Sequence, residues 1–338
     1  MAGCCVWSDL AGPAGRPSFF TLLSSQRLTV DGHQNSGSAA GGGFPQWNCA
    51  CHNCSGLRAG TLRGKGRSQT QIAFSATEGV WFLVGASPDL RAQIVTAPEL
   101  NPFCETSPIV GVFLPSAEVD AVMGLLHLRE FQSFLTLATP TVQRILRNEN
   151  RIFSVLDRAS PPVKWRTLSS NRRIGCHLSD NPVGAPPFFY TTIPLGRNFP
   201  DYASEDLRRK SSSDDACVGF LLEQGNRKLF FAPTLSGENK EWPKLATSAD
   251  VNMLDGTFWS NEELLVTGRT DKTARQMGHL PLSGLDGLLA QYPKDAQGRK
   301  ILIHINNTNP ILDEDSDEHH AVLEAGFEIA YDGLTIEL

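Results

Sequence analysis

Three cysteines lie within six residues of each other. Cys49, Cys51 and Cys54 form a C-x-C-x-x-C pattern in the segment NCACHNC. Thiolates at this spacing can point at one centre, and they are ligands that structural zinc prefers. The spacing is too tight for a framework of disulfides. The sequence therefore predicts a structural metal site, which we call the knuckle. Its fourth ligand stays open among His52, Asn307, Asp313 and water.

A second set of polar residues is dispersed along the chain. Asp120 follows an apolar run, Asp255 ends one in MLDGTFW, and His304 lies near the end of one in ILIHINN. Loops at strand ends are where an α/β scaffold collects its active site. Each residue alone is weak evidence, because an acid in the first turn of a helix often only balances the helix dipole. A histidine in an apolar strand is also more often a core residue than a ligand.

Composition limits the classes of protein and partner. The 338 residues are enough for one large domain or two medium ones. With 36 acidic and 30 basic residues the net charge is −6, which argues against a nucleic-acid partner. No apolar run approaches the ~20 residues of a membrane-spanning helix. The cysteines outside the knuckle are scattered, which favours a reducing, cytoplasmic setting.

The apolar segments predict strands along most of the chain. They are Gln71–Ser75, Val80–Gly85, Ile109–Leu114, Val218–Leu222, Leu229–Phe231, Val251–Leu254 and Ile301–Ile305. Near the C-terminus, Asp332-Gly333 separates two further apolar segments, Glu328–Tyr331 and Leu334–Leu338. An Asp-Gly pair in this context predicts a hairpin.

Helix signals lie between the predicted strands. Ser87-Pro88-Asp89 predicts a helix start with Ser87 as its N-cap. The apolar spacing from Val119 onward predicts a helix whose entry contains Asp120. Ser283–Leu289 predicts a short helix capped by Ser283. Strands at both ends with helices between them indicate an α/β sandwich of two sheets covered by helices, αββα.

Several long segments together resemble one family, the pyrroloquinoline quinone (PQQ) biosynthesis protein B (PqqB) family of the metallo-β-lactamase superfamily. The similar segments are SAAGGGFPQWNCACHNCSGLRAGTL (Ser38–Leu62), ASPDLRAQI (Ala86–Ile94), AEVDAVMGLLHLRE (Ala117–Glu130), DGTFW (Asp255–Trp259), MGHLPLSG (Met277–Gly284), IHINNTNPILDEDS (Ile303–Ser316) and AYDGLTIEL (Ala330–Leu338). The resemblance implies a metallo-β-lactamase fold in a single domain, 37–338. Residues 1–36 then form a divergent, flexible N-terminal extension, with Arg27–Val30 as the remnant of a first strand.

The resemblance also implies a place in making PQQ from a Glu–Tyr-derived precursor. One expectation is an iron- and oxygen-dependent hydroxylase of the tyrosine ring, with zinc in the knuckle as a structural metal. The alternative is a non-catalytic carrier that helps PQQ or its precursor reach the periplasm. Other PQQ biosynthesis proteins are expected partners. A general metallo-hydrolase is disfavoured, since the sequence lacks the HxHxDH motif.

Residue roles follow from the same resemblance. The implied ligands of an active-site metal are Glu118, Asp120, Asp255 and His304, beside the zinc ligands Cys49, Cys51 and Cys54. Asp120, His279 and His304 are the residues expected to take part in the chemistry, with His279 as a proton carrier. Apart from the resemblance, three arginines offer forked donors that could bind the carboxylates of a carrier's ligand, although each alone is more often a solvated surface residue: Arg91, Arg129 and Arg269.

The chain departs from the family pattern within this motif. Ser116 and Ala121 stand where the family has an acid and a histidine, and neither a hydroxyl nor a methyl group replaces those metal ligands well. Asp215 is expected to stand in, one residue out of place, for a third family acid. These departures leave open whether the second metal site is active.

Overall fold

The computed structural model describes residues 21–23, 37–77, 79–102, 106–130, 132–158, 160–176, 188–210 and 215–338. Within them, two seven-stranded sheets are formed. The first contains β1 (Thr21–Leu23), β2 (Ile72–Thr77), β3 (Val80–Val84), β4 (Ile109–Phe113), β5 (Leu135–Ala138), β6 (Lys164–Thr167) and β14 (Thr335–Glu337). Its order is β14-β1-β2-β3-β4-β5-β6. The strands from β3 to β6 are parallel, so their carboxyl ends share one edge.

The second sheet also contains a run of parallel strands whose carboxyl ends share one edge. It contains β7 (Arg173–Cys176), β8 (Phe188–Gly196), β9 (Cys217–Gln224), β10 (Arg227–Ala232), β11 (Val251–Asp255), β12 (Arg299–Ile303) and β13 (Glu328–Ile329). Its order is β13-β12-β11-β10-β9-β8-β7. Strands β10 to β13 are parallel, which brings the ends of β11 and β12 together.

Helices cover the outer faces of both sheets. They are α1 (His52–Ala59), α2 (Leu90–Thr96), α3 (Val119–Val122), α4 (Pro140–Gln143), α5 (Glu205–Lys210), α6 (Trp242–Ser248), α7 (Glu263–Val266), α8 (Leu288–Gln291) and α9 (Asp317–Glu324). Helix α3 continues into the 3₁₀ segment Met123–Arg129. Among the described residues, no helix is both long and apolar enough to cross a membrane.

Apolar clusters fill the spaces between the layers. Phe113 of β4 and Phe220 of β9 meet between the two sheets, with ring centroids 5.4 Å apart. Neighbouring residues of a strand point to opposite faces. Val112 therefore packs under the helices of the first sheet, and Phe230 packs under those of the second. This arrangement confirms the predicted αββα sandwich.

The predicted strands and the helix entry at Asp120 are confirmed. The C-terminal hairpin is wrong, because β13 pairs with β12 in one sheet while β14 pairs with β1 in the other. The Asp332-Gly333 turn thus carries the chain between sheets. Asp332 is held there by the backbone and side chain of Ser38, at 3.1 and 3.0 Å.

Two predicted helix starts are also wrong. Helix α8 begins at Leu288, and the hydroxyl of Ser283 instead donates to Trp259 O at 2.7 Å. Leu285, which lies within the predicted helix Ser283–Leu289, is fully exposed. Ser87 does not cap α2, because its hydroxyl donates to Gln93 Oε1 at 2.8 Å.

The predicted N-terminal extension, 1–36, lies outside the described residues except for β1. Arg27–Val30, predicted as a remnant strand, lies outside them as well. Strand β1 is formed by Thr21–Leu23 and pairs with β14 on one side and β2 on the other. The boundary of the predicted domain 37–338 stays a prediction.

Candidate metal centres

The knuckle brings its three sulfur atoms together at the start of α1. The Sγ atoms of Cys49, Cys51 and Cys54 lie within 4.8 Å of one another. Cys51 is the N-cap of α1, and its sulfur accepts from the backbone N–H of Cys54 at 3.5 Å. The N-terminus of a helix favours negative charge, so this turn of chain suits thiolates.

One amide completes the knuckle. The Nδ2 atom of Asn307 lies 3.1, 3.4 and 3.6 Å from the sulfurs of Cys49, Cys54 and Cys51. Amide oxygen and nitrogen exchange places by a flip. In a tetrahedral zinc site an oxygen ligand lies roughly 3.6 Å from each sulfur, from the usual bond lengths. The donors therefore fit a zinc ion, with the side-chain amide oxygen (Oδ1) of Asn307 as the fourth ligand.

The other candidates for the fourth ligand are less suited. His52 is exposed on α1. The carboxylate of Asp313 accepts from the backbone N–H of Asp315 at 3.2 Å, within its own loop. Asn307 is the residue whose side chain contacts the sulfurs.

The thiols of the knuckle differ in acidity. Burial raises the pKa of Cys54 to about 12. Burial also raises the pKa of Cys49, but hydrogen bonds from the Cys51 backbone and from both neighbouring thiols outweigh it, so the net shift is downward. A cation favours deprotonated sulfur, and the thiol of Cys49 is closer to that state than the thiol of Cys54.

The dispersed residues also come together, in a group we call the imidazole cluster. Asp120 lies in the first turn of α3, and Asp255 ends β11. His279 follows a short 3₁₀ helix, and His304 follows β12. Ligand atoms of Asp255, His279 and His304 lie within 4.8 Å of one another.

Asp255 is the buried centre of this cluster. Its side chain is fully buried. The Oδ2 atom accepts from Leu235 N at 2.8 Å and lies 2.9 Å from His279 Nδ1. The Oδ1 atom accepts from the backbone N–H of Thr257 at 3.0 Å and from its hydroxyl at 2.6 Å. Both oxygens are thus fully used, which favours an orienting role for Asp255 over the ligand role predicted from the sequence.

Thr257 extends this orientation to the second imidazole. Its Oγ1 atom lies 2.8 Å from His304 Nδ1. A hydroxyl has one proton, and two acceptors compete for it: the Asp255 carboxylate at 2.6 Å and His304 O at 2.8 Å. The charged carboxylate is the closer and stronger acceptor. Thr257 therefore donates to Asp255 and accepts from Nδ1–H of His304. The sequence reading missed Thr257, although it lies within the DGTFW motif.

The two imidazoles consequently face the same way. Their rings are stacked, with centroids 5.4 Å apart and planes at 18°. Because both Nδ1 atoms are directed at Asp255 or Thr257, each Nε2 lies on the opposite side of its ring. Asp120 Oδ2 lies on that side, 3.4 Å from His304 Nε2, and accepts from Gly41 N at 3.2 Å.

In the imidazole cluster, the carboxylates and the imidazoles favour each other's charged forms. Burial disfavours the charge of both Asp120 and His304, yet their hydrogen bond lowers the pKa of Asp120 and raises that of His304. Asp255 has a lowered pKa despite its burial, through its contact with His279.

Glu118 lies at the edge of the cluster. Burial and the charges of Asp120 and Asp201 raise the pKa of Glu118 to about 7. The hydroxyl of Ser116 accepts from the backbone N–H of Glu118 at 3.2 Å. Ala121 is buried beside Asp120 and offers only a methyl group.

Other predicted residues are placed elsewhere. Asp215 accepts from the hydroxyl of Thr141 at 2.8 Å, at the start of α4. Arg129 pairs with its neighbour Glu130 at 2.8 Å, and Arg91 is exposed on α2. Arg269 is exposed, and its charge helps to lower the pKa of Cys49 in the knuckle.

Comparison with known proteins first defines the class. Residues 80–305 match the beta-lactamase superfamily domain, and the chain belongs to that class. Within it, the chain is 39% identical over 314 residues to the coenzyme PQQ synthesis protein B of Azoarcus sp.. It is 39% identical over 306 residues to that of Azotobacter vinelandii. Each alignment covers 89% of this chain and 98% of the relative.

A solved structure gives the same relationship. The crystal structure of Zn²⁺-bound PqqB from Methylobacterium extorquens is 35% identical, with a TM-score of 0.79, over 89% of this chain and 98% of that one. The chain is therefore a member of the coenzyme PQQ synthesis protein B family.

Proposed function

We propose that this chain acts in PQQ synthesis by metal-dependent hydroxylation of the tyrosine-derived ring of the Glu–Tyr precursor, in the cytoplasm and alongside other PQQ biosynthesis proteins. Family membership supports the pathway. The observation that carries the hydroxylation step is the shared orientation of His279 and His304, with Asp120 beside the Nε2 atom of His304.

The donor set of the imidazole cluster fits iron. Two imidazoles and one carboxylate, with open positions, are typical of non-haem iron(II) oxygenases. His279, His304 and Asp120 would hold the ion, and Glu118 could add an oxygen ligand. Bound iron would supply the activation of O2: one oxygen atom would enter the ring and the other would leave as water, with the two electrons for that water coming from oxidation of the hydroxylated ring to its quinone. The knuckle would hold zinc, as expected from its thiolates and from the zinc-bound relative.

The remaining residues orient the donors and carry protons. Asp255 fixes His279 directly and His304 through Thr257, so that the Nε2 atom of each ring is left for a metal. Glu118, with a pKa of about 7, can hold or release a proton near neutral pH. That property suits the removal of a phenolic proton from the tyrosine-derived ring.

Metal analysis and oxygen uptake test this function. Protein reconstituted anaerobically with iron(II) should contain one iron in addition to the knuckle zinc. It should consume O2 when the precursor is added. His304→Ala should abolish both the iron and the oxygen uptake while retaining zinc. Reconstituted protein that holds only the knuckle zinc would rule out the hydroxylase.

A carrier role is the second candidate, and one observation favours it. Ser116 and Ala121, both buried, stand where the family has two metal-ligand side chains. The cluster therefore lacks those two donors. A pocket without a redox metal could still bind PQQ. Calorimetric titration of iron-free protein that keeps its knuckle zinc with PQQ should then show stoichiometric binding. Binding without oxygen uptake would favour the carrier, whereas the absence of binding would exclude it.

A further inference from the structure

We infer that the knuckle positions the imidazole cluster: the cation held by Cys49, Cys51, Cys54 and Asn307 fixes the segment 304–309, and with it His304. The inference rests on the knuckle part of the proposed function. It needs neither iron nor substrate in the imidazole cluster. Asn53, Asn307 and Asn309 act as positioning residues.

The first link runs from the sulfurs to segment 304–309. The side chain of Asn307 contacts all three sulfurs, and it lies three residues after His304. Asn307 is 5% exposed. Its amide is therefore already shielded from water, so a cation in the knuckle would not have to displace water from it. A cation at this point would hold the segment by a metal–oxygen bond.

The second link runs from α1 to the backbone of the same segment. Asn53 lies beside Cys54 in the first turn of α1 and is buried. Its Nδ2 atom donates to Asn307 O at 3.2 Å and to Asn309 O at 2.8 Å. Because Cys51 and Cys54 flank Asn53, the position of its amide depends on the turn that the knuckle fixes.

The third link runs from the segment to Thr257. Asn309 is fully buried, and its Nδ2 atom donates to Gly256 O at 2.9 Å and to Thr257 O at 3.3 Å. The backbone N–H of Asn306 donates to Thr257 O at 3.1 Å. Thr257 in turn contacts both the ring and the carbonyl of His304. The sulfurs and His304 are thus joined by a continuous set of buried hydrogen bonds.

His304 needs such support. Its φ is +61°, a left-handed conformation that a residue with a side chain rarely adopts. Residues in this region keep the conformation only where their surroundings hold it. Thr257 Oγ1 accepts from the His304 ring at Nδ1, 2.8 Å away, and Ile305 N donates to Ser38 O at 3.0 Å. Loss of the knuckle cation would loosen segment 304–309 and allow the His304 ring to turn.

Hydrogen exchange of the full-length protein tests this coupling. Removing zinc with a chelator should speed the exchange of amides in peptides covering 304–309 by roughly tenfold, as expected for the loss of one or two buried hydrogen bonds. Zinc addition should restore it. Strand β7, at the opposite edge of the sheet, should be unchanged. Exchange at 304–309 that is unaffected by zinc removal, while α1 opens, would overturn the inference.

A variant separates coupling from zinc binding. Asn53→Ala keeps all four proposed ligands, so it should retain stoichiometric zinc by elemental analysis and still show faster exchange at 304–309. Ser55→Ala, exposed in the same helix, is the matched control and should match the wild type. Asn53→Ala with zinc bound and exchange unchanged at 304–309 would contradict the positioning role.

The His304 ring provides a second measurement. Long-range ¹H–¹⁵N NMR of the zinc-loaded protein, without iron, should show a single ring state for His304, with Nδ1 protonated. Zinc removal or Asn53→Ala should give a mixture of ring states, whereas Ser55→Ala should not. A ring state unchanged by zinc removal would count against the inference. Because neither measurement uses O2 or precursor, a failed hydroxylase test leaves these results standing, and the reverse also holds.

Discussion

The knuckle and the imidazole cluster are both groups of metal-ligand residues, but the chain builds them in opposite ways. Six consecutive residues supply the three sulfurs of the knuckle, at the start of one helix. In the imidazole cluster, Asp120 and His304 meet across 184 positions of sequence. A local motif needs only one turn of chain, whereas a dispersed site needs both sheets to be correctly folded.

The two sites also differ in what satisfies their ligands. The knuckle sulfurs have weak partners, chiefly the amide of Asn307, so a cation is the main source of their stability. In the imidazole cluster, the carboxylate of Asp255 accepts hydrogen bonds from four donors without any metal. We therefore expect metal loss to affect the fold around the knuckle most, and amino-acid changes to affect the imidazole cluster most.

The largest effect is expected for Cys54→Ser. Removing one thiolate from a zinc site should abolish stoichiometric zinc and lower the free energy of unfolding by about 3 kcal/mol or more. Elemental analysis and chemical denaturation measure these quantities. Cys176→Ser changes another buried cysteine, far from the knuckle, and should retain zinc. Full zinc content in Cys54→Ser would show that the knuckle does not hold the metal.

Asp255→Asn tests the centre of the imidazole cluster. The amide would direct a donor at one of the N–H groups that now bind the carboxylate, and it would remove the charge facing His279. Unfolding by denaturant should show a loss of about 3 kcal/mol, as for other broken buried charge networks. Asp286→Asn is the matched control: Asp286 is exposed and pairs with Arg275, and should cost less than about 1 kcal/mol. Equal losses would contradict the central role of Asp255.

Thr257→Val removes the hydroxyl that joins Asp255 to His304 while keeping the shape of the side chain. It should lower the free energy of unfolding by about 1–2 kcal/mol and weaken iron(II) binding to the imidazole cluster about tenfold. Thr257→Ser keeps the hydroxyl and should restore most of the iron affinity. If Val and Ser behave alike in the binding titration, the hydroxyl does not orient His304.

The sequence was informative where structure is local. The C-x-C-x-x-C spacing and the apolar runs predicted the knuckle and most strands, since both depend on neighbouring residues. The C-terminal hairpin failed because Asp332-Gly333 joins strands of different sheets, and only the pairing of β14 with β1 reveals that. Thr257 was missed for a related reason: its partners Asp255 and His304 come together only when β11 and β12 pair.

Ala121→His would make the dispersed site more like that of the family. Ala121 lies next to Asp120, and a histidine there would add an imidazole to the cluster. Iron(II) affinity measured by anaerobic titration should rise by about tenfold, because affinity follows the number of well-placed ligands. Val119→His is the control, since Val119 is half exposed on the same helix and points away from the cluster. A gain for both variants would indicate nonspecific binding.

The smallest effect concerns the pH dependence of the metal-free protein. The raised pKa of His304 contributes stability below pH 6.5, which is lost as the pH rises through the folded value. The lowered pKa of Asp120 contributes stability above pH 3.8, which is lost as the pH falls through its folded value. The pair should therefore stabilise most between these limits.

Denaturation of metal-free wild type and His304→Gln across this range would measure that contribution. The difference in unfolding free energy should be largest between pH 3.8 and pH 6.5, where the pair is fully charged, and it should shrink as the pH rises further. The knuckle variant Cys54→Ser should show no comparable pH dependence between pH 4 and pH 6.5, because the thiol of Cys54, with a pKa of about 12, does not titrate there. A difference for His304→Gln that grows with pH would mean that His304 is neutral in the folded protein and that its contact with Asp120 is not an ion pair.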